Sequence, residues 1–600
     1  MLMPTSLFSQ WHECNGPWGG VFYFLYSEGE ELYAGTKSGL YQLNKTNNRW
    51  NLMTTYEPYF MVKTGDEMLI GTYDGVFYSK DTGKSWTSKN SGISNLSIQS
   101  MTMDSNCIYI GTPSGIYFTK NHGDKWTHIY NLLNGTVSSI YAKGEFLIAG
   151  IDEGIYLSTN SGANWSMKTN VLKWNNITSI IVEDNNIYAA SNSGFMYSSD
   201  NGNTWIKRDT GQVNKGLRSI IKKDNIIIAA SWLYGVMKSS DGGISWVENN
   251  NGILNKEANN IISLKNEIFV GTSNGCYHSS DNCQKWNHFD EGIAGIVPNG
   301  ITVNDGYIFV GTQENGIFRS SDKGKSWEQK NNGLRGLEFG KIMNYGKKII
   351  AIDNSNYYFY ISDDYGENWK ILIINQNDKI YGDFQIVDNS FYSTSYDSSC
   401  LIKSSDEAQN WNYFNKWNKQ YYIESVLIDG NNFYVGTWYD GILVSTDYGL
   451  SWIVKNTPFS YLWSGELKKF GNNLLANTWD HGLFISSNKG DSWIAINSGF
   501  PINEIPNYCV FGNVIFAAPW NYSIYYSIDS GKNFLPFYQG IKDNLSFSSL
   551  YIDDNEETIY AGDAFGPVYY RSFSEFSTKV NEQVGFSNSF SLSPNPATDF

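Results

Sequence analysis

Arginine is scarce in this chain. Only Arg49, Arg208, Arg218, Arg319, Arg335 and Arg571 occur among 600 residues, and the net charge is −16. A surface of that sign repels a phosphate backbone, which argues against nucleic acid as a partner. A carboxylate-binding sialidase site, which needs three converging arginines above an activated tyrosine, is equally poorly supplied. Proline is rare as well, at 13 residues. No stretch approaches the 18 or so consecutive apolar residues of a membrane-crossing helix, so no transmembrane segment is expected. The six cysteines, Cys14, Cys107, Cys276, Cys283, Cys400 and Cys509, contain no CxxC pair, and no histidine stands at metal-ligand spacing from them. Cys276 and Cys283 flank a short strand that should hold them too far apart to bridge. All six read as small packing residues, and neither a metal nor a cofactor is expected.

What is abundant points to β structure. The chain carries 42 Tyr, 33 Phe, 21 Trp and 57 Gly; aromatic side chains suit half-buried pleated surfaces, and glycine serves the turns between them. At 41% hydrophobic it can bury a large core. A repeat organises these residues. In residues 306–333, Gly306–Thr312 reads as a strand with alternating faces, 313–316 as a tight turn, and Ile317–Ser320 as the next strand. Ser321–Trp327 then forms a polar turn closed by tryptophan, and Asn331-Asn332-Gly333 ends the unit. The pattern Ser/Thr-x-Asp/Asn-x-Gly-x-x-Trp stands in full at 79–86, 119–126, 158–165, 198–205, 239–246, 320–327, 362–369, 445–452 and 486–493. Weaker copies lie at 43–50, 279–286, 404–411 and 527–534. A spacing near forty-one residues suits four short strands per unit, the size of a propeller blade.

This motif resembles the Asp-box (BNR) repeat of sialidases, sortilin-type receptors, photosystem assembly factors and xyloglucan-cleaving glycosidases. The resemblance implies an all-β fold, and fourteen blades imply two tandem seven-bladed propellers. The box itself needs no ligand. Its carboxylate or amide, at Asp81, Asp200, Asp241, Asp322, Asp364 and Asp447 among others, can accept backbone N–H groups of the turn. Its glycine permits a positive φ, and its tryptophan opens the outer strand.

The chain ends carry further expectations. The last unit, 549–573, has three strands and no closing tryptophan strand, whereas Trp11-His-Glu-Cys-Asn-Gly16 reads as an outer strand with nothing before it. Pairing the two would cover two sheet edges. The expected division is therefore 11–253 plus 541–578 for a first ring closed by the N-terminal strand, and 254–540 for the second; the alternative is a simple split near residue 295. Residues 1–10 read as the tail of a secretory signal. Phe590-Ser-Leu-Ser-Pro-Asn-Pro-Ala-Thr598 resembles the opening of the C-terminal sorting domain of Bacteroidetes type IX secretion cargo, with 579–600 as linker and truncated sorting domain. That resemblance implies export by the type IX machinery to the medium or the cell surface, most simply as a monomer.

Function is read from the turns between second and third strands. Four consecutive units carry Tyr396-Asp397, Trp438-Tyr439-Asp440, Trp479-Asp480-His481 and Trp520-Asn521-Tyr522 there. Aromatic faces beside carboxylates suit a neutral sugar chain, with stacking plus acceptors for hydroxyls. The expectation is a non-catalytic module for an extracellular polysaccharide or other polymer. Two alternatives stand beside it: a glycoside hydrolase like the xyloglucan-cleaving enzymes, and a sortilin-like scaffold with a protein ligand. The hydrolase chemistry needs two carboxylates facing one cleft. In the xyloglucan-cleaving family one of them lies in the second turn of an early blade. The matching turn here, Gly35-Thr36-Lys37-Ser38-Gly39, has lysine in that place, and the second blade offers Thr72-Tyr73-Asp74-Gly75 at a different position.

Overall fold

Every regular element is a β-strand in the structure, a computed structural model that describes residues 10–573. Left out of that range are 105–106, 130–134, 152–153, 170–175, 209–215, 254, 294, 356–357, 373–382, 396–398, 408–409, 418, 456–465, 479–480, 542–544 and 565. The readings of 1–10 as a signal remnant (Gln10 aside) and of 579–600 as a sorting segment lie outside the described residues. The strands form fourteen four-stranded antiparallel sheets, as expected of tandem β-propellers. We number the blades 1 to 14 by the position of their innermost strand, from Phe22–Glu28 in blade 1 to Phe547–Asp553 in blade 14.

Each blade is a meander whose second strand is buried on both faces, because the sheets on either side cover it. In blade 8, Tyr307–Thr312 leaves only its first residue partly exposed. The expected alternation of faces is therefore absent here, as in any strand covered on both sides. The recurring glycine of these strands has a packing reason. A Cβ on Gly311 would stand 3.0 Å from the Cβ of Phe339 on the next inner strand, so a side chain there would push the blades apart.

The chain divides into two units, Trp18–Ile296, and Met1–Pro17 with Val297–Phe600. The first, the continuous ring, holds blades 1 to 7; the second, the two-part ring, holds blades 8 to 14. This differs from the expected division at 253 and 540. The N-terminal strand does complete the C-terminal blade, with His12 opposite Tyr570 and Glu13 opposite Tyr569. That blade, however, belongs with blades 8 to 13 rather than with blades 1 to 6.

The physical reason is a latch that recurs between neighbouring blades at Trp11, Trp50, Trp126, Trp286 and Trp369. In blade 3 the Trp126 backbone N–H donates to Ser91 O at 2.8 Å, and its indole N–H donates to Lys89 O at 2.8 Å, both on the end of blade 2. Blade 1 makes the same latch through Trp50, to Glu291 O and Phe289 O of blade 7, and so closes the continuous ring. Trp11 plays this part for blade 14, donating to Gln539 O and Phe537 O at the end of blade 13. Ser549 Oγ then donates to Pro298 O of blade 8 at 2.6 Å, and Asn15 N to Gly324 O at 2.7 Å, which closes the two-part ring. All six cysteines are buried and none forms a disulfide.

Candidate functional site

The two ends of each blade carry different chemistry. At one end lie the box turns. In blade 2, Asp81 Oδ1 accepts from Ser79 Oγ at 2.8 Å and from Ser85 N at 2.9 Å, while Ser79 Oγ accepts from Gly83 N at 2.8 Å. The same bonds recur at Asp200, Asp241, Asp322, Asp364 and Asp447. Two successive residues turn left-handed, Thr82 at φ 56° and Gly83 at φ 83° in blade 2, so the box demands a positive φ one residue earlier than its glycine as well. These hydrogen bonds hold the Asp81, Asp241 and Asp447 carboxyls down at about 2. Both carboxylate oxygens of Asp81 accept bonds from within the turn, which fits the reading of the boxes as folding elements.

The turns between second and third strands lie at the opposite end of each blade, together with the starts of the inner strands. In seven of them, among them those of blades 8, 11 and 12, a threonine pins the turn. In blade 11, Thr437 Oγ1 donates to Gly441 O at 2.9 Å and accepts from Asp440 N at 3.0 Å, so that residues 438–440 project from the rim. Trp438 is half-buried, with its ring on Tyr422 at 6.2 Å between centroids and its indole N–H donated to Glu424. Tyr439 is 51% exposed and meets Tyr422 edge-on at 5.6 Å. Asp440 pairs with Lys419. In blade 12, His481 is exposed and donates its backbone N–H to Thr478 Oγ1. In blade 13, Trp520 is half-buried and Tyr522 exposed, and the Trp520 backbone is tied to Glu504 O. Tyr396, Asp397, Trp479 and Asp480 lie outside the described residues.

The structure adds groups that the turn motif did not indicate, because they sit on the inner strands some fourteen residues before it. Tyr422 and Glu424 open the blade 11 inner strand, and Asp383 stands at the start of that of blade 10. Burial, and after it the Asp383 carboxylate, push the Glu424 carboxyl above its usual range, against the pull of the Trp438 N–H. Lys341 of blade 9 pairs with Asp383. Burial alone would lower the Lys341 ammonium, but Asp383 and Glu466 beside it hold it above its ordinary value. The mouth of the two-part ring thus places Asp383 and Glu466 beside Lys341, with Glu466 also paired to Lys468 at 3.0 Å, and sets Glu424 between Asp383 and the aromatic wall Tyr422–Trp438–Tyr439. Raised proton affinity at one carboxyl of a close pair is a feature that general acid–base chemistry uses. Among the described residues no group of three His, Cys, Asp or Glu side chains could hold a metal ion, and no helix is long and apolar enough to cross a membrane.

No protein-family model and no curated protein matches the sequence. Solved structures do. A GH74 enzyme of Niastella koreensis superposes with a TM-score of 0.68 at 16% identity, covering 94% of this chain and 99% of that one. An ancestral GH74 enzyme gives a TM-score of 0.68 at 13% identity over the same shares. The GH74 xyloglucanase of Xanthomonas campestris gives 0.47 at 12%, covering 94% of this chain and 100% of that one. At these identities the likeness establishes the tandem-propeller fold.

Proposed function

We propose that this protein is an exported double β-propeller that binds a neutral polysaccharide without cleaving it, through the mouth of the two-part ring. The observation that carries this reading is the wall Tyr422–Trp438–Tyr439 beside Glu424 and Asp440: rings to stack on sugar faces, and carboxylates to accept hydroxyl protons. The cations Lys341, Lys419 and Lys468 of this mouth are each paired with a carboxylate, Asp383, Asp440 and Glu466 respectively, which favours an uncharged chain over an acidic one. Export rests on the resemblance of 590–598 to the sorting segment. Affinity electrophoresis against neutral polysaccharides, xyloglucan among them, tests the site. The wild type should be retarded, and Trp438→Ala should weaken binding by about 1–3 kcal/mol, the range of an aromatic anchor. Equal retardation of both proteins would remove the site from this mouth.

A second reading, glycoside hydrolysis, is favoured by the two GH74 enzymes among the similar structures and by the Glu424–Asp383 pair, in which Glu424 would be the acid. Lys37 stands against it, occupying the first-blade turn where the xyloglucan-cleaving family places a carboxylate. Under this reading Glu424→Gln abolishes turnover and leaves binding within about threefold; under the binding reading there is no turnover to abolish.

A further inference from the structure

The continuous ring has its own candidate site, in the other unit from the mouth described above. A cavity of about 650 Å³ opens along its axis, within the size range of small-molecule sites. Its walls are of two kinds. On one side Tyr23, Tyr59 and Tyr73 form a contiguous aromatic wall, Tyr23 stacked on Tyr59 with centroids 4.4 Å apart and Tyr73 tilted by 51° against Tyr59 at 4.3 Å. The Tyr23 and Tyr59 hydroxyls both donate to Glu57, which fixes those rings and occupies the carboxylate, while Tyr73 at the end of the wall is 56% exposed. On the other side stands Arg218, the only cationic side chain among the described residues that line the cavity. Its guanidinium is held by Asn259 Oδ1 at 3.1 Å and lies 5.1 Å from the Trp232 ring centroid.

Arg218 is exposed and, among the described residues, pairs with no carboxylate within 4 Å; Glu257 acts on it only from a distance. Cations elsewhere in this acidic chain are commonly tied down, as Lys63 is by Glu28 and Glu31, and Arg319 by Glu328 and Glu367. A guanidinium oriented by an amide and an indole, and left facing a cavity, presents its fork to a planar anion from outside. Between the two walls Gln99, Asn192 and Thr178 supply the uncharged donors and acceptors that hydroxyl groups need.

We infer that the axial cavity of the continuous ring binds a short acidic oligosaccharide, with a uronate carboxylate on Arg218 and a sugar face against the Tyr23–Tyr59–Tyr73 wall. The inference does not rest on the polysaccharide site of the two-part ring, and it concerns a ligand of opposite electrostatic preference.

Calorimetric titration of the full chain with di- to tetrasaccharides of galacturonate, glucuronate and mannuronate, each beside its neutral counterpart, tests it. At least one acidic series should bind at least tenfold more tightly than its neutral counterpart, with affinity falling as salt rises. Arg218→Gln should lose that preference, Arg218→Lys should keep part of it, and Tyr73→Ala should weaken both classes. Because Arg218 and Tyr73 are exposed, these variants should keep the wild-type melting temperature. Trp438→Ala should leave the acidic titration unchanged, which separates this site from the other. Absence of binding by all three acidic series, equal binding of neutral oligomers, or an unchanged Arg218→Gln titration would each overturn the inference.

Discussion

At the scale of single residues, the side chains that repeat and the one that breaks a repeat make different predictions. Asp322 Oδ1 accepts Ser320 Oγ at 2.9 Å and Ser326 N at 2.8 Å, and Asp322 Oδ2 accepts Ser326 Oγ at 2.6 Å. Asp322→Ala should cost about 1 kcal/mol in chemical denaturation, the ordinary net worth of such bonds, with polysaccharide binding unchanged. Loss of binding at unchanged stability would make the box a site. The box carboxyls also set an acid limit. Their folded pKa values lie below the unfolded ones, so their stabilisation is present above about pH 4 and is lost as pH falls towards 2.

Asp290 breaks a different repeat. In blades 2, 6, 8 and 12 an asparagine (Asn90, Asn250, Asn331, Asn497) accepts the backbone N–H that follows the second-turn glycine. Blade 7 has Asp290 there, 3% exposed and 2.8 Å from His288. Burial raises the Asp290 carboxyl against the pull of His288, and Asp290 raises His288 against the effect of burial. Both directions mean that the folded pair holds protons more tightly than the unfolded chain. The Asp290 part is therefore complete below the ordinary carboxylate pKa and is lost as pH rises through its raised value, while the His288 part is complete below the ordinary histidine pKa and is lost as pH rises through its own raised value. Thermal unfolding should show the continuous ring weakening from pH 6 to 8, and Asp290→Asn should flatten that slope; an unchanged slope would discharge the pair.

At the scale of elements, the strands and turns were legible in the sequence because each repeats thirteen or fourteen times, so that weak local signals reinforced one another. The N-terminal strand was legible for the same reason: Trp11 and Asn15 copy the spacing of Trp86 and Asn90. Its ring was not. The latch that assigns it joins Trp50 to Glu291 and Trp11 to Gln539, and most blades carry a similar tryptophan, of which Trp86, Trp205, Trp246 and Trp452 donate their indole within their own turn instead, so the motif does not name the partner. Cys14 shows how closely the strand is fitted, since a Cβ on Gly324 of blade 8 would stand 2.3 Å from its sulfur. Removal of residues 1–16 should abolish amide protection in 547–572 and lower it in 298–329, with 22–288 unaffected, as followed by hydrogen exchange. Uniform loss across both units would contradict the assignment. The mouth of the two-part ring was legible only in its turns. Tyr422, Glu424 and Asp383 belong to inner strands whose sequences show no shared motif, and only the meander brings them beside Trp438. The same holds for Arg218, although Ser231-Trp232-Leu233-Tyr234-Gly235 copies the Thr437–Gly441 turn and could have drawn attention to blade 6.

At the scale of the whole molecule, the fold is shared with two GH74 enzymes, and the choice between the proposed binding and the alternative of hydrolysis rests on the residues of the site. The likeness to GH74 enzymes spans 94% of the chain, yet the fold serves many chemistries, and function has to be argued from the site. Lys37 stands in the first-blade turn and Trp438 holds Glu424 by its indole, an arrangement that uses the carboxyl to orient an aromatic wall. The decisive measurement is therefore made on one sample: the full chain titrated with the neutral polysaccharide that retards it, with bound chain and released reducing ends counted together. Saturable binding that Trp438→Ala weakens, with no reducing ends above those of the polysaccharide alone, is the result expected. Reducing ends that accumulate with the wild type and vanish with Glu424→Gln would contradict the account and establish the mouth of the two-part ring as a hydrolase site.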